Sequence, residues 1–353
     1  MSDSSSDSSS PGPARSKGPA RSKGAAKSWA FKTLTWVLAI GCFYLVYTKI
    51  VEAGARAEPT PLGPLEYLID FFAGVQWWQW LALMIPYSIF FFLVDAHATW
   101  RVVRWFNVPS IKYTDILPIR GSSYILSMVN EQVGKGAMSL YLLRRHNVPG
   151  WEALSSMIFM ALVEIYQLLF FSAVGVLLYN QLVQEASTQL PLNIILPTVF
   201  VVALAYIPIH LLYFGGKFAK NSGLRDKQIF SAFKRARPLQ YLLLLLFKAP
   251  NLIMAVVIYT MALELFQVPV NFGQMLAFLP VIFLSAALPL PFHAGALLLW
   301  TVLFPSYPEV GAFSLVMHTF FVVFNALLGV LFLPKANQEL FGTQESDQAS
   351  TPA

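Results

Sequence analysis

Charge is scarce in this chain. Only 12% of its 353 residues are Asp, Glu, Lys or Arg, while 56% are hydrophobic and 15% are aromatic. A soluble domain carries about 25% charged residues, so this chain lacks the polar surface that covers a water-soluble globule. A soluble enzyme, a disordered regulator and a nucleic-acid module are therefore poor readings, and no nucleic-acid partner is expected. Cysteine is almost absent. Cys42 stands alone, which rules out an intramolecular disulfide and a cysteine-ligated metal centre. No two of the five histidines lie three or four residues apart and no acidic ligand set accompanies them, so neither a metal nor another cofactor is expected. Phosphate-binding Walker, Gly-x-Ser-x-Gly and nicotinamide fingerprints are all missing. No Ser and Lys are arranged as nucleophile and base, so no catalytic residue is named.

Long apolar runs are what the chain does have. The mean hydropathy is +0.59. Runs over 31–50, 77–97, 151–179, 192–214, 239–263 and 310–333 each reach the roughly 20 residues a helix needs to cross about 30 Å of hydrocarbon. The first could be mistaken for a signal peptide, but it lacks a small-residue cleavage site and reads as a retained span. The expected fold is all-α: a polytopic integral membrane protein with about six spanning helices and two re-entrant hairpins. Residues 1–28, with the sequence of 13–18 repeated at 19–24, are too polar and too low in complexity to pack. They are expected as a disordered cytoplasmic tail, 29–335 as the transmembrane domain, and 336–353 as a second disordered cytoplasmic tail.

Basic residues orient the spans. Arg15, Lys17, Arg21, Lys23, Lys27 and Lys32 precede the first one and place the N-terminus in the cytoplasm. Arg101, Arg104 and Lys112 follow the second, and seven Lys and Arg residues fill 215–238. The intervening loops 180–191 and 264–271 have none. The alternation holds along the chain and suits a bacterial cytoplasmic membrane.

Two apolar regions are too short or too broken to span. In 115–147, an arm over 116–130 is interrupted by 131–136 and resumes over 137–143, with basic residues on both flanks. In 272–304, the break is Pro289, Leu290, Pro291, Phe292, His293, Ala294 and Gly295, and the flanks lack Lys and Arg. Irregular backbone at membrane depth survives only when buried in protein or lining a wet cavity. Two hairpins entering from opposite sides match the inverted-repeat plan of transporters. One repeat would hold 77–97, the first hairpin and 151–179. The other would hold 239–263, the second hairpin and 310–333.

The stretch Asn130, Glu131, Gln132, Val133, Gly134, Lys135, Gly136, then Leu142, Leu143, Arg144, Arg145, then Glu164 in the next span resembles the flippase-like membrane domain of lysylphosphatidylglycerol synthases. Residues 288–295 match that family's late Pro/Gly-rich break. Ala137-Met138 and Ser139-Leu140 replace the Glu and Arg that usually follow the first break, and Ile165 replaces an Arg after the span Glu. The chain thus resembles a divergent member, and the resemblance implies the fold before the substrate. Only about 20 polar residues follow Leu333 here, so lipid aminoacylation is not implied.

Several residues could contact substrate. Lys135, with N–H groups around Gly134 and Gly136, could hold a lipid phosphate. Glu131 could pair with Lys135 or take a cationic headgroup, and Asn130 borders the same break. Arg144 and Arg145 could grip phosphate bidentately or simply anchor the interface. Arg120 has the same two readings. Glu164 lies near the middle of its span, where a carboxylate costs about 2.5–3.5 kcal/mol unless paired. Lys248 is its partner by depth. His293 at the second break could relay protons. His210 and His318 read better as hydrogen-bonded core imidazoles. Asp95 is placed near the cytoplasmic end of its span, where it could pair with Arg101. The function these residues imply is a carrier, without an ATP site, for a membrane lipid with an anionic or zwitterionic headgroup or a lipid-linked precursor. A lipid-modifying transferase and a membrane scaffold docking an enzyme through 215–238 are the alternatives, and the chain could act with a partner enzyme or a second copy of itself.

Overall fold

The computed structural model describes residues 22–129, 131–186, 191–217, 223, 225–286, 288 and 290–341, without the side chains of 22–28, 30, 128–129, 131–133, 135 and 186. The expected tails over 1–21 and 342–353 lie outside the described residues. Among the described residues every element is helical: α1 (Ser22–Ala55), α2 (Pro64–Ala73), α3 (Trp77–Phe106), α4 (Tyr113–Val129), α5 (Glu131–His146), α6 (Gly150–Leu178), α7 (Asn180–Ala186), α8 (Leu192–Phe214), α9 (Ser231–Arg235), α10 (Pro238–Leu265), α11 (Phe272–Ala286), α12 (Ala294–Leu303) and α13 (Val310–Phe341). Six of them, α1, α3, α6, α8, α10 and α13, are long and apolar enough to cross a membrane. The shortest, α8, has 23 residues and is about 35 Å long at 1.5 Å per residue. The chain is an all-α, multi-pass membrane protein.

Local chemistry sets the helix ends. Pro64 opens α2, and the Glu66 carboxylate accepts from the Gly63 N–H at 3.0 Å. Pro238 opens α10, where the Gln240 side chain accepts from the Arg237 N–H at 2.8 Å. Helix α1 already runs from Ser22, inside the stretch expected to be a tail, and α13 continues to Phe341.

Both hairpins are present. Arms α11 and α12 flank a break at the expected place, with a 3₁₀ turn over Pro291–His293. Phe292 and His293 both adopt left-handed backbone, at φ 54° and 51°. The first hairpin corrects its expected break, because 131–136 is helical and belongs to α5. Gly134 serves packing: a Cβ there would overlap the Ser127 hydroxyl and lie 2.9 Å from the Ser123 carbonyl, so its absence lets α5 close on α4.

The packing supports the two-fold plan. Helices α3 and α10 lie antiparallel, with Trp77 beside Phe266 (5.7 Å) and His97 beside Phe247 (5.2 Å). Short links join α3 to α4 and α10 to α11, so the hairpins enter from opposite ends. Each hairpin's first arm then packs on the closing span of the other half, α4 on α13 and α11 on α6. Both contacts are close backbone approaches at a glycine. A Cβ on Gly329 would lie 2.7 Å from the Gly121 carbonyl, and one on Gly175 would lie 2.5 Å from the Ala277 Cα. Exchanging α3, α4, α5 and α6 for α10, α11, α12 and α13 preserves these contacts. Helices α1 and α8 lie outside the repeat, α1 against α12 and α8 against α6.

Two apolar cores stack along the long axis. One gathers Trp80, Tyr259, Phe266 and Phe313. The other gathers Phe106, Phe159, Phe233 and Leu244. Between them, on α3, α6 and α10, lies a polar layer.

Candidate functional site

Four helices each send a charge into that layer. Helix α3 supplies Asp95, α4 supplies Arg120, α6 supplies Glu164 and α10 supplies Lys248. Arg120 Nε donates to Asp95 Oδ2 at 2.5 Å, and the Tyr124 hydroxyl donates to the same oxygen at 2.9 Å. Lys248 Nζ donates to Asp95 Oδ1 at 3.2 Å and also to Glu164 Oε1. Among the described residues the charges alternate in sign along Arg120, Asp95, Lys248 and Glu164, and these four sum to zero. Mutual pairing lowers the cost of ions at this depth, since an uncompensated charge in hydrocarbon costs several kcal/mol.

Exposure is graded along the row. The Asp95 side chain is 2% exposed, Lys248 7%, Arg120 12% and Glu164 31%. Asp95 is therefore the buried hub and Glu164 the accessible end. Small neighbours make room for the hub: Ala96, Ala98 and Thr99 are fully buried beside it.

Uncommitted polar atoms continue the layer. Ser88 lies two turns from Asp95 on α3, Gln167 one turn from Glu164 on α6, and Asn251 one turn from Lys248 on α10. Helix α3 runs antiparallel to α6 and α10, so all three are displaced toward the same end of the molecule. Ser88 Oγ, Gln167 Nε2 and Asn251 Oδ1 are buried without a hydrogen-bond partner. Asn251 Nδ2 donates to the Phe91 carbonyl at 3.3 Å, at the crossing of α3 and α10. Partnerless polar groups at membrane depth are costly. All three lie on the same side of the charge row.

The structure sorts the sequence candidates. Glu164 and Lys248 pair as expected. Asp95 does not pair with Arg101; that guanidinium lies near His97 and stacks on Trp100 and Phe247. Arg120 is no snorkelling surface residue but a partner of the hub. Arg145 is drawn away from any headgroup site: it donates to the Glu339 and Gln338 carbonyls in the last turn of α13. Arg144 stacks on Phe341, 5.1 Å from the ring centre. Both therefore clamp α5 to α13, where terminal carbonyls need donors. His293 lies apart from the charge row, its ring 4.5 Å from that of His318 and its Nδ1 3.1 Å from the Ala286 carbonyl. His210 sits between Tyr241 (3.0 Å) and Tyr206 (3.4 Å), a hydrogen-bonded core imidazole as expected. Asn130 and the side chains of Glu131 and Lys135 lie outside the described residues.

Sequence reasoning missed Asp95 as the hub. The signal was an acid inside a run that also carries Phe90, Phe91 and Phe92. The apolar run ends at residue 97, whereas α3 continues to Phe106. Asp95 thus lies eleven residues from the helix end, about 16 Å along the axis.

No family model matches this chain, and no curated protein or solved structure does.

Proposed function

We propose that this protein moves a membrane lipid with an anionic or zwitterionic headgroup, or a lipid-linked precursor, between leaflets without ATP. The observation that carries this reading is the polar layer between two apolar cores, with its charge row reaching the accessible Glu164. A lipid crossing a bilayer needs a polar path for its headgroup while its chains stay in hydrocarbon. Lys248 suits such a path because it holds two carboxylates. It can exchange Glu164 for a phosphate while Asp95 still compensates its charge. Glu164 is then available to water or to a headgroup ammonium. The packing exchange between the two halves fits an alternation between openings at either end.

The resemblance of 130–136, 142–145 and 164 to the flippase-like domain of lysylphosphatidylglycerol synthases supports the same reading. The basic residues before the first span and over 215–238 support a cytoplasmic N-terminus and a bacterial inner membrane as part of this proposal. The test is reconstitution into liposomes carrying fluorescent phosphatidylglycerol, phosphatidylethanolamine or phosphatidylcholine in both leaflets. Dithionite then reads how fast inner-leaflet probe reaches the outside. Acceleration over protein-free vesicles for at least one of these lipids supports the proposal, and none for any of them refutes it.

A further inference from the structure

A second lipid-facing feature lies away from the charge row, where α8 ends and α10 begins. A cavity of about 340 Å³ opens there, lined by Leu211, Leu212, Phe214, Lys217, Phe233 and Tyr241 among others. It is apolar toward the helices and basic at its rim. Residues 215–238 hold seven Lys and Arg residues against one acid, Asp226. Two of the cations are committed: Lys234 pairs with Asp226 at 2.7 Å, and Arg235 pairs with Glu152 of α6.

Arg225 is placed differently. Gly216, at φ 74°, closes α8 in a left-handed turn. The Gly215, Gly216 and Lys217 N–H groups donate to the carbonyls of Leu211, Tyr213 and Leu212, at 2.9, 3.2 and 3.1 Å. The helix end is thus capped by its own backbone. The Arg225 guanidinium lies against Gly216, so close that a Cβ there would be 2.6 Å from its terminal nitrogens. Its Nε is buried and has no hydrogen-bond partner. A buried guanidinium N–H without an acceptor is costly, and a phosphate oxygen satisfies it well. Lys217, exposed on the cavity wall, adds a second positive charge. Ile209 of α8 and Leu242 and Leu246 of α10 are exposed, as is Leu212 of the cavity wall, and all are placed as chain-contacting residues would be.

We propose that this groove binds an anionic phospholipid. Lys217 and Arg225 take its phosphate, and Leu212 and Tyr241 contact the glycerol and the start of its chains. The site is separate from the charge row and does not depend on lipid transport.

Native mass spectrometry of the full chain in detergent tests it, with phosphatidylglycerol, phosphatidylcholine and inorganic phosphate as probes. Phosphatidylglycerol should bind more tightly than phosphatidylcholine. Lys217→Gln and Arg225→Gln should each weaken phosphatidylglycerol binding about fivefold, the worth of one interfacial charge. Lys335→Gln, a charge removed outside the groove, should leave it unchanged. If Arg225→Gln lowers the yield of folded protein, Lys217→Gln carries the comparison, because its side chain is exposed. Equal binding of the two lipids overturns the proposal, as does an unchanged affinity in Lys217→Gln. Complete displacement of phosphatidylglycerol by an equal concentration of inorganic phosphate also overturns it, since the site would then belong to the free ion.

Discussion

The Lys248 ammonium lies 3.2 Å from the Asp95 carboxylate, joining α10 to α3 where the two halves of the fold cross. The contact makes Asp95 the hub of a four-charge row. It also leaves Lys248 compensated when Glu164 lets go.

The row should respond unequally to neutralisation. Asp95→Asn leaves two cations facing a neutral amide in a buried site. Breaking such a pair costs about 3–5 kcal/mol. Glu164→Gln alters a partly solvated end and should cost clearly less. Thermal unfolding in one detergent should rank Asp95→Asn well below Glu164→Gln. Equal losses would contradict the hub assignment.

The two glycines of the first hairpin should also behave differently. Gly134→Ala places a methyl group on Ser127 and should destabilise the protein. Nothing lies within 4 Å of a Cβ on Gly136. Gly136→Ala should be neutral, or stabilising by up to about 1 kcal/mol through helix propensity. Unfolding temperatures of the two variants decide the matter, and the reverse order would show that the arms do not meet at Gly134.

Much of this architecture is legible in the sequence, because hydrocarbon leaves few choices. Run length gives six spans, and short broken runs give two hairpins. Glu164 and Lys248 could be paired by depth alone. The remainder depends on contacts that sequence periodicity does not record. Arg120 of α4 pairs with Asp95, which lies on another helix. Asp95 reads as close to a span end because the apolar run stops early, while α3 carries Arg101 and Arg104 beyond it with aromatic rings to stack against. Gly134 signals a break in the sequence, yet it serves a close helix approach.

Arg145 holds the end of α13 by donating to its carbonyls. Arg145→Ala should speed amide exchange over 336–341 and cost about 1–2 kcal/mol. Hydrogen exchange read by mass spectrometry checks this. Unchanged exchange in that segment would return Arg145 to a headgroup role.

Glu309, just before α13, gives the fold a pH dependence outside the spans. Burial raises its carboxyl above the ordinary value of 4.5, only partly offset by its own backbone and by the Tyr67 hydroxyl at 2.7 Å. Its folded value exceeds the unfolded one. The stability it contributes is therefore complete below the unfolded value and is lost as pH rises through the raised value. Glu309→Gln should flatten the dependence of unfolding temperature on pH from about 4.5 upward. Tyr67→Phe removes a donor to the carboxylate and should extend the loss to higher pH. Parallel profiles for the parent and Glu309→Gln would contradict this.

The most direct test of the polar path is lipid movement by Glu164→Gln, in proteoliposomes holding equal amounts of folded protein. Gln keeps the size and hydrogen-bonding capacity of Glu but cannot carry the charge that Lys248 exchanges for a phosphate. The expected result is an unfolding temperature near that of the parent, with dithionite-accessible probe appearing at least about tenfold more slowly, the loss of one charge-assisted contact. A variant that moves lipid as fast as the parent would contradict the path.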